Sequence, residues 1–354
     1  MPASITEFVD VDVLLQGPPA ERFEFGALMG AFAHTVSVNR QEGPFASLAD
    51  LEAAGFTALA APAVNAWASA VFAQQAGVEN VIVGLIDPFD ADLTTSLDAI
   101  EAADPTSFYL VNVESRSDAD ILLLAAWTES REKIAIAQTS SADLLAGTLG
   151  NIGLLLQAAN YNRTALIYHD VDTEYLDGGW SSIIGGFNLD GPAGVGTAFG
   201  KTVAGVPFDA VSSAEADNIY DANANLYGRN LGLSFTSKGT MASGRFIDVQ
   251  TSLDWVKTRL EEDLLTLLTS TPTKIPYTDA GIALCGNSAQ AVLERGVTAG
   301  HFTADGPLGP PSVTLPLRRN IANAKIQARE LEFQAQATLA GAIQKVELTL
   351  SVSF

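Results

Sequence analysis

The sequence predicts an α/β chain, a mostly parallel sheet covered by helices, with a strand-forming arm at each end. Three observations carry this. Apolar strand-like runs alternate with helix-like runs through the middle of the chain, at intervals of about 27 to 30 residues, the pattern of βαβ units feeding a parallel sheet. Both ends alternate apolar and polar residues with period two, as half-buried strands do. Charge is divided unevenly: residues 1–200 hold 6 Lys/Arg against 26 Asp/Glu, residues 201–354 hold 13 against 15.

At the start, Val9, Val11, Val13 and Leu15 alternate with Asp10, Asp12 and Leu14, and Gly17-Pro18-Pro19 follows. That is a strand on a stiff, extended tether. Residues 1–19 are therefore read as an N-terminal β-arm. A helix over Val64–Gln75 leads into strand-like runs at Val81–Ile86, Phe108–Val113, Ile134–Ala137 and Ala165–Tyr168. Helices are expected between them at Leu93–Ala102, Ala119–Thr128 and Ala142–Ala159, with Asp118 and Ser141 as N-caps. This makes residues 20–200 an acidic α/β domain. The Gly-rich stretch from Gly178 to Gly205 is the expected boundary.

Residues 201–342 form a second α/β domain in this reading. Helices are expected at Ala214–Leu226, at Leu253–Leu268 with one strongly apolar face, and at Asp279–Arg295. Asp305–Pro316 reads as a Pro/Gly loop, and a basic segment with Arg318, Arg319, Lys325 and Arg329 follows. The chain ends on KVELTLSVSF, where Val346, Leu348, Leu350, Val352 and Phe354 alternate with polar residues. At ~3.3 Å per residue this strand is roughly 30 Å long. Residues 343–354 are read as a C-terminal β-arm. The two arms either pair with each other in one chain or add to a neighbour's sheet edge.

Composition narrows the function. A hydrophobic fraction of 47% with 17% charged residues gives ample core and argues against disorder. No apolar run approaches a membrane span, and MPASITEFVDVDVLLQG lacks a basic n-region, so neither membrane insertion nor a secretion signal is expected. A net charge of −22 disfavours nucleic-acid binding, which needs Lys and Arg against phosphate. Cys285 is the only cysteine, so no intrachain disulfide is possible, and it is read as a small core residue.

Chemical motifs are weak. GVGTAFGKT, Gly194 to Thr202, has the wrong spacing for a phosphate loop and no strand before it. DVDTEYLDGG, Asp170 to Gly179, echoes a calcium loop, but Tyr175 stands where the sharp-turn glycine belongs. The strongest enzymatic reading is metal-assisted chemistry by carboxylates at the strand ends: Asp87, Asp90, Glu114, Asp118, Asp143, Asp170 and Asp172. No basic or Gly-rich partner accompanies them, so no enzyme, cofactor or metal is expected. His34, His169 and His301 are dispersed, and neither HExxH nor GxSxG occurs.

The run GRFIDVQTSLDWVKTRLEEDLLTLL, then KIPYTDAGI and AVLERGVTAGHF, resembles the sheath proteins of contractile phage tails, in their compact myophage form. VFAQQAGVENVIVG and ANLYGRN fit the same family. The resemblance covers most of residues 65–354 and is most specific over 244–302. It implies a non-enzymatic subunit that polymerises around an inner tube, with residues 20–200 as a solvent-facing outer domain and 201–342 as a tube-proximal core. It also implies arms that exchange strands with neighbouring copies, through Val9, Val11, Val13, Leu15, Val346, Leu348, Leu350 and Val352. Contraction then drives the tube through a bacterial envelope. The implied partners are further copies, the tail tube protein, and baseplate and terminator proteins, in a virion assembled in the host cytoplasm. Tube-facing candidates are Glu294 and Arg295 or the basic Arg318, Arg319, Lys325 and Arg329. The rivals to this reading are a metal-dependent α/β enzyme and another self-assembling tube or shell protein.

Overall fold

The computed structural model describes residues 25–33, 35, 39–192, 194–271 and 274–345. In chain order these form β1 (Ala27–Ala33), β2 (Arg40–Phe45), α1 (Leu48–Ala53), α2 (Pro62–Phe72), β3 (Asn80–Ile86), α3 (Leu93–Ala103), β4 (Leu110–Val113) and α4 (Asp118–Glu129). There follow β5 (Ile134–Thr139), α5 (Ala142–Ala146), α6 (Ile152–Ala159), β6 (Thr164–Tyr168), α7 (Leu176–Gly185), α8 (Ser213–Asp221), β7 (Asn225–Asn230) and β8 (Leu233–Thr236). The chain continues through α9 (Ile247–Ser270), α10 (Asp279–Thr298), β9 (Phe302–Thr303), β10 (Ser312–Thr314), a 3-10 turn (Arg318–Asn320), α11 (Asn323–Ala328), β11 (Gln334–Gln336) and β12 (Thr338–Leu339).

Eight strands make one sheet in the order β2-β3-β1-β4-β5-β6-β7-β8. The six inner strands are parallel; β2 and β8 run antiparallel at the two edges. Both faces are covered, so the inner strands are apolar on both sides. Leu28, Phe32, Val81, Val83, Ile134 and Ile136 enter one core with α2, α7, α9 and α10. Met29, Ala31, Ile82, Ala135 and Ala137 enter the other with α3, α4, α6 and α8. The four expected inner strands are all present. β1, which lies between β3 and β4, is not among them: ALMGAFA is poor in β-branched residues, and its pairing with both neighbours is what makes it a strand.

Four helix expectations need correction. The helix expected over Ala214–Leu226 stops at Asp221, and Leu226 lies in β7, which opens at Asn225. Ser117, not Asp118, caps α4, accepting the Asp120 N–H, and Asp118 is the first helical residue. The single helix expected over Ala142–Ala159 is two, because Gly147 ends α5 in the left-handed region and Asn151 caps α6 anew. The stretch from Gly178 opens inside the buried helix α7 rather than in a linker. A Cβ on Gly178 would lie 2.6 Å from Trp67 Cδ1, so glycine here lets α7 and α2 approach closely.

The sheet and core run across the expected boundary between residues 200 and 201. β7 pairs with β6, and Trp255, Leu260, Val292 and Phe302 share a core with Leu28 and Tyr109. A buried polar seam locks α9 to the sheet. Arg163 forks onto Asp254 at 2.8 and 2.7 Å. Tyr109 donates to the same carboxylate at 2.7 Å, Gln250 donates to it at 3.0 Å, and Lys257 pairs with Glu132.

Candidate functional site

Strand addition needs a free edge of unpaired N–H and C=O groups. The large sheet offers little. At β8, Thr236 N–H donates to Lys201 O at 2.9 Å, and Gly200 N–H donates to Thr236 O at 2.8 Å. Thr202 Oγ1 caps Ser234 O at 2.9 Å. The GVGTAFGKT segment thus covers an edge instead of cradling a phosphate. At the other edge, β2 carries Pro44, which has no N–H, and its register shifts between Glu42 and Phe45.

The C-terminal half holds two small antiparallel ladders whose strands each have a single partner among the described residues. In β10–β11, Ser312 faces Gln336, Val313 faces Ala335 and Thr314 faces Gln334, and Gln334, Ala335 and Gln336 are all exposed. In β9–β12, Thr303 faces Thr338 and Phe302 faces Leu339. Sequence reasoning missed these ladders, reading β10 as loop. A strand of two or three residues is too short to show a period. The expected exchange residues Val9, Val11, Val13, Leu15, Val346, Leu348, Leu350 and Val352 lie outside the described residues.

The expected tube-facing residues divide into two kinds. Arg295 is paired with Asp263 at 3.0 Å, Lys325 with Glu332, and Glu294 accepts from Gln290 at 3.0 Å. Arg318 Nε donates to Tyr277 O at 3.1 Å. Arg319 and Arg329 are exposed and, among the described residues, form no ion pair. They are the cations of this segment available to a partner. The first half of the chain is the opposite case. Its described cations Arg40, Arg116, Arg131, Lys133 and Arg163 all pair with acids of this chain, which leaves its surface acidic.

The strand-end carboxylates mostly serve the local fold. Asp90 accepts from Asn39 and Ser96, and these bonds hold its pKa below the usual value. Glu114 accepts the Ala33 N–H at 2.9 Å. Asp118 is pushed up, first by burial and then by Asp143. Beyond β4, where a doubly wound sheet usually takes its ligand, the buried Arg116–Asp177 pair packs under Tyr175. One group of residues does converge at the end of β6. His169 Nδ1 lies 3.0 and 3.1 Å from the Asp209 oxygens, and Nε2 lies 3.0 Å from Glu174. Burial works to lower the His169 pKa, but these two carboxylates outweigh it and raise it.

His301 meets no carboxylate partner of this kind among the described residues: it stacks on Trp255 at 4.2 Å, donates from Nε2 to Leu189 O at 2.8 Å and has Nδ1 2.9 Å from Ser252 Oγ; burial lowers its pKa. Cys285 is half-buried on α10, and burial pushes its thiol up, away from the reactive thiolate. Among the described residues no helix is long and apolar enough to cross a membrane.

Comparison with known proteins places this architecture. Residues 247–309, from α9 to the turn before β10, match the family model of the E217 tail sheath protein gp31-like C-terminal domain. The expected resemblance at 244–302 falls on that segment. The fold is shared along the chain with contractile-system proteins. A chain of the anti-feeding prophage baseplate is 12% identical with a TM-score of 0.63, over 100% of this chain and 99% of that one. The contracted anti-feeding prophage helical sheath is 13% identical with a TM-score of 0.64, over 92% and 93%. The contracted PVC sheath complex of an extracellular contractile injection system is 11% identical with a TM-score of 0.62, over 91% of each chain. No curated protein matches the chain in sequence.

Proposed function

We propose that this chain is the structural subunit of a contractile tail sheath, without enzymatic activity. The sheath-domain match over 247–309, set in a fold shared with a contracted sheath over 92% of the chain, carries the reading. In the assembled sheath the subunit polymerises around an inner tail tube and contracts by rigid-body rearrangement, driving the tube through a bacterial envelope. Its partners are further copies, the tube protein, the baseplate and the terminator, in a virion assembled in the host cytoplasm.

The terminal arms are the joints in this reading. An arm from one copy adds to a free edge of the small ladders of another, where backbone hydrogen bonds give affinity without a preformed pocket. The covered β8 and Pro44-bearing β2 edges direct that addition to the C-terminal half. α9 is locked to the sheet by the Arg163–Asp254 seam, which suits a subunit that turns as one body. Arg319 and Arg329 are the best placed tube contacts, because a tube that must slide free calls for exposed, salt-screened charges.

Two truncations test the joints: removal of residues 1–16, and a stop after Lys345. Each is expected to leave a folded monomer by circular dichroism and to abolish tubes in negative-stain micrographs. Normal tubes from either truncated chain would sink the strand-exchange proposal. Closed shells or flat sheets from the intact chain would point to another kind of assembly.

A further inference from the structure

The cluster beyond β6 has a donor set that an ion pair alone does not need. His169 is buried, Asp209 is buried, and Asp170 is exposed beside them. One donor atom from each lies within 4.8 Å of the others. A first-row divalent ion holds N and O donors at about 2.0–2.2 Å, which sets two donors on one ion about 3–4 Å apart. Small side-chain movements therefore close the site.

Its backbone is already fixed. His169 N–H donates to Thr139 O at 3.0 Å, and Asp209 N–H donates to Tyr227 O at 2.9 Å. Asp170 N–H donates to Asp209 Oδ1 at 3.0 Å. On the far side of the ring, Nε2 faces Glu174 at 3.0 Å. A carboxylate on the second ring nitrogen orients a metal-binding histidine and raises its basicity.

We propose that His169 Nδ1 and the carboxylates of Asp209 and Asp170 bind a divalent transition-metal ion of the Zn²⁺ class, with Glu174 as the positioning carboxylate. The ion takes the place of the proton on Nδ1, which leaves to solvent; no electron is transferred. Water fills the remaining positions on the Asp170 side. Imidazole among the donors favours Zn²⁺ over Ca²⁺ and Mg²⁺, which take all-oxygen sets. The bound ion would staple the segment after β6 to the segment before α8.

The test uses the full chain, stripped with chelator and dialysed, then titrated with ZnCl₂, CaCl₂ or MgCl₂. Zn²⁺ at 100-fold over its Kd is expected to raise the melting temperature by about 3–5 °C, with little effect of Ca²⁺ or Mg²⁺. Asp170→Asn, at an exposed position, should fold normally and lose most of that shift. Glu174→Gln should weaken Zn²⁺ binding by about 10-fold or more in calorimetry. Co²⁺ should give visible absorption bands with the wild-type chain that Asp170→Asn alters. No Zn²⁺ shift, or an equal shift in wild type and Asp170→Asn, overturns the proposal and leaves His169 as an ion-pair partner.

Discussion

Asp254→Ala tests how α9 is held. The carboxylate is buried and takes both arms of the Arg163 fork, the Tyr109 hydroxyl and the Gln250 amide. Arg163 is 6% exposed, so the substitution strands a guanidinium away from water. Burial works to lower the Arg163 pKa, but Asp254 outweighs it and raises it; the arginine therefore keeps its charge. Breaking such a pair from one side costs about 3–5 kcal/mol. At about 2.1 cal/mol/K per residue, unfolding this chain has an entropy near 0.7 kcal/mol/K, so the loss corresponds to about 5 °C. Thermal and urea unfolding of the unpolymerised chain measure it. Asp254→Leu with Arg163→Met removes both charges and should recover most of the loss, because an apolar pair has no desolvation penalty. A single-variant cost under about 1 kcal/mol, or a double variant as unstable as the sum of the singles, would refute the idea that the seam is one coupled buried unit.

Lys133 is 2% exposed, and its pKa falls to about 8, first through burial, with Glu101 opposing. The unfolded chain then binds more protons between pH 8 and 10.5, so stability should rise with pH across that window and be lost as pH falls through 8. The gain is of order 3 kcal/mol, seen as the difference between wild type and Lys133→Met in urea melts at each pH; parallel curves would count against it. Gly178→Ala drives a methyl into Trp67 and should cost about 1–3 kcal/mol by the same assay; an unchanged melt would show that α7 moves away freely. Arg319→Glu with Arg329→Glu should leave stability within about 0.5 kcal/mol while weakening co-sedimentation with tail tubes. Unaltered, equally salt-sensitive co-sedimentation would remove these residues from the tube contact.

The inner strands β3, β4, β5 and β6 were legible because a doubly covered parallel sheet demands continuous apolar runs, and those runs are visible in a single sequence. Helices α3, α4, α9 and α10 were legible from apolar spacing, although the cap expected for α4 was one residue off. β1 was not, since Ala, Met and Gly carry little strand preference and its place follows from the two neighbours that pair with it. α7 was read as linker because glycine marks a turn by itself and marks close helix packing only beside Trp67.

The candidate site divides in the same way. Acid excess in the first half, cations in the second and the apolar face of α9 are set by residue type, so sequence alone determined them. Which cations are committed was decided by the fold. Arg163 finds Asp254 91 residues away, whereas Arg319 and Arg329 find no acid among the described residues. Likewise, His169 meets Asp209 across 40 residues only because β6 and the segment before α8 end side by side. Local pattern specifies elements through short-range sterics and burial period; edges, ion pairs and converging side chains depend on long-range contacts, which exist only once the chain has packed.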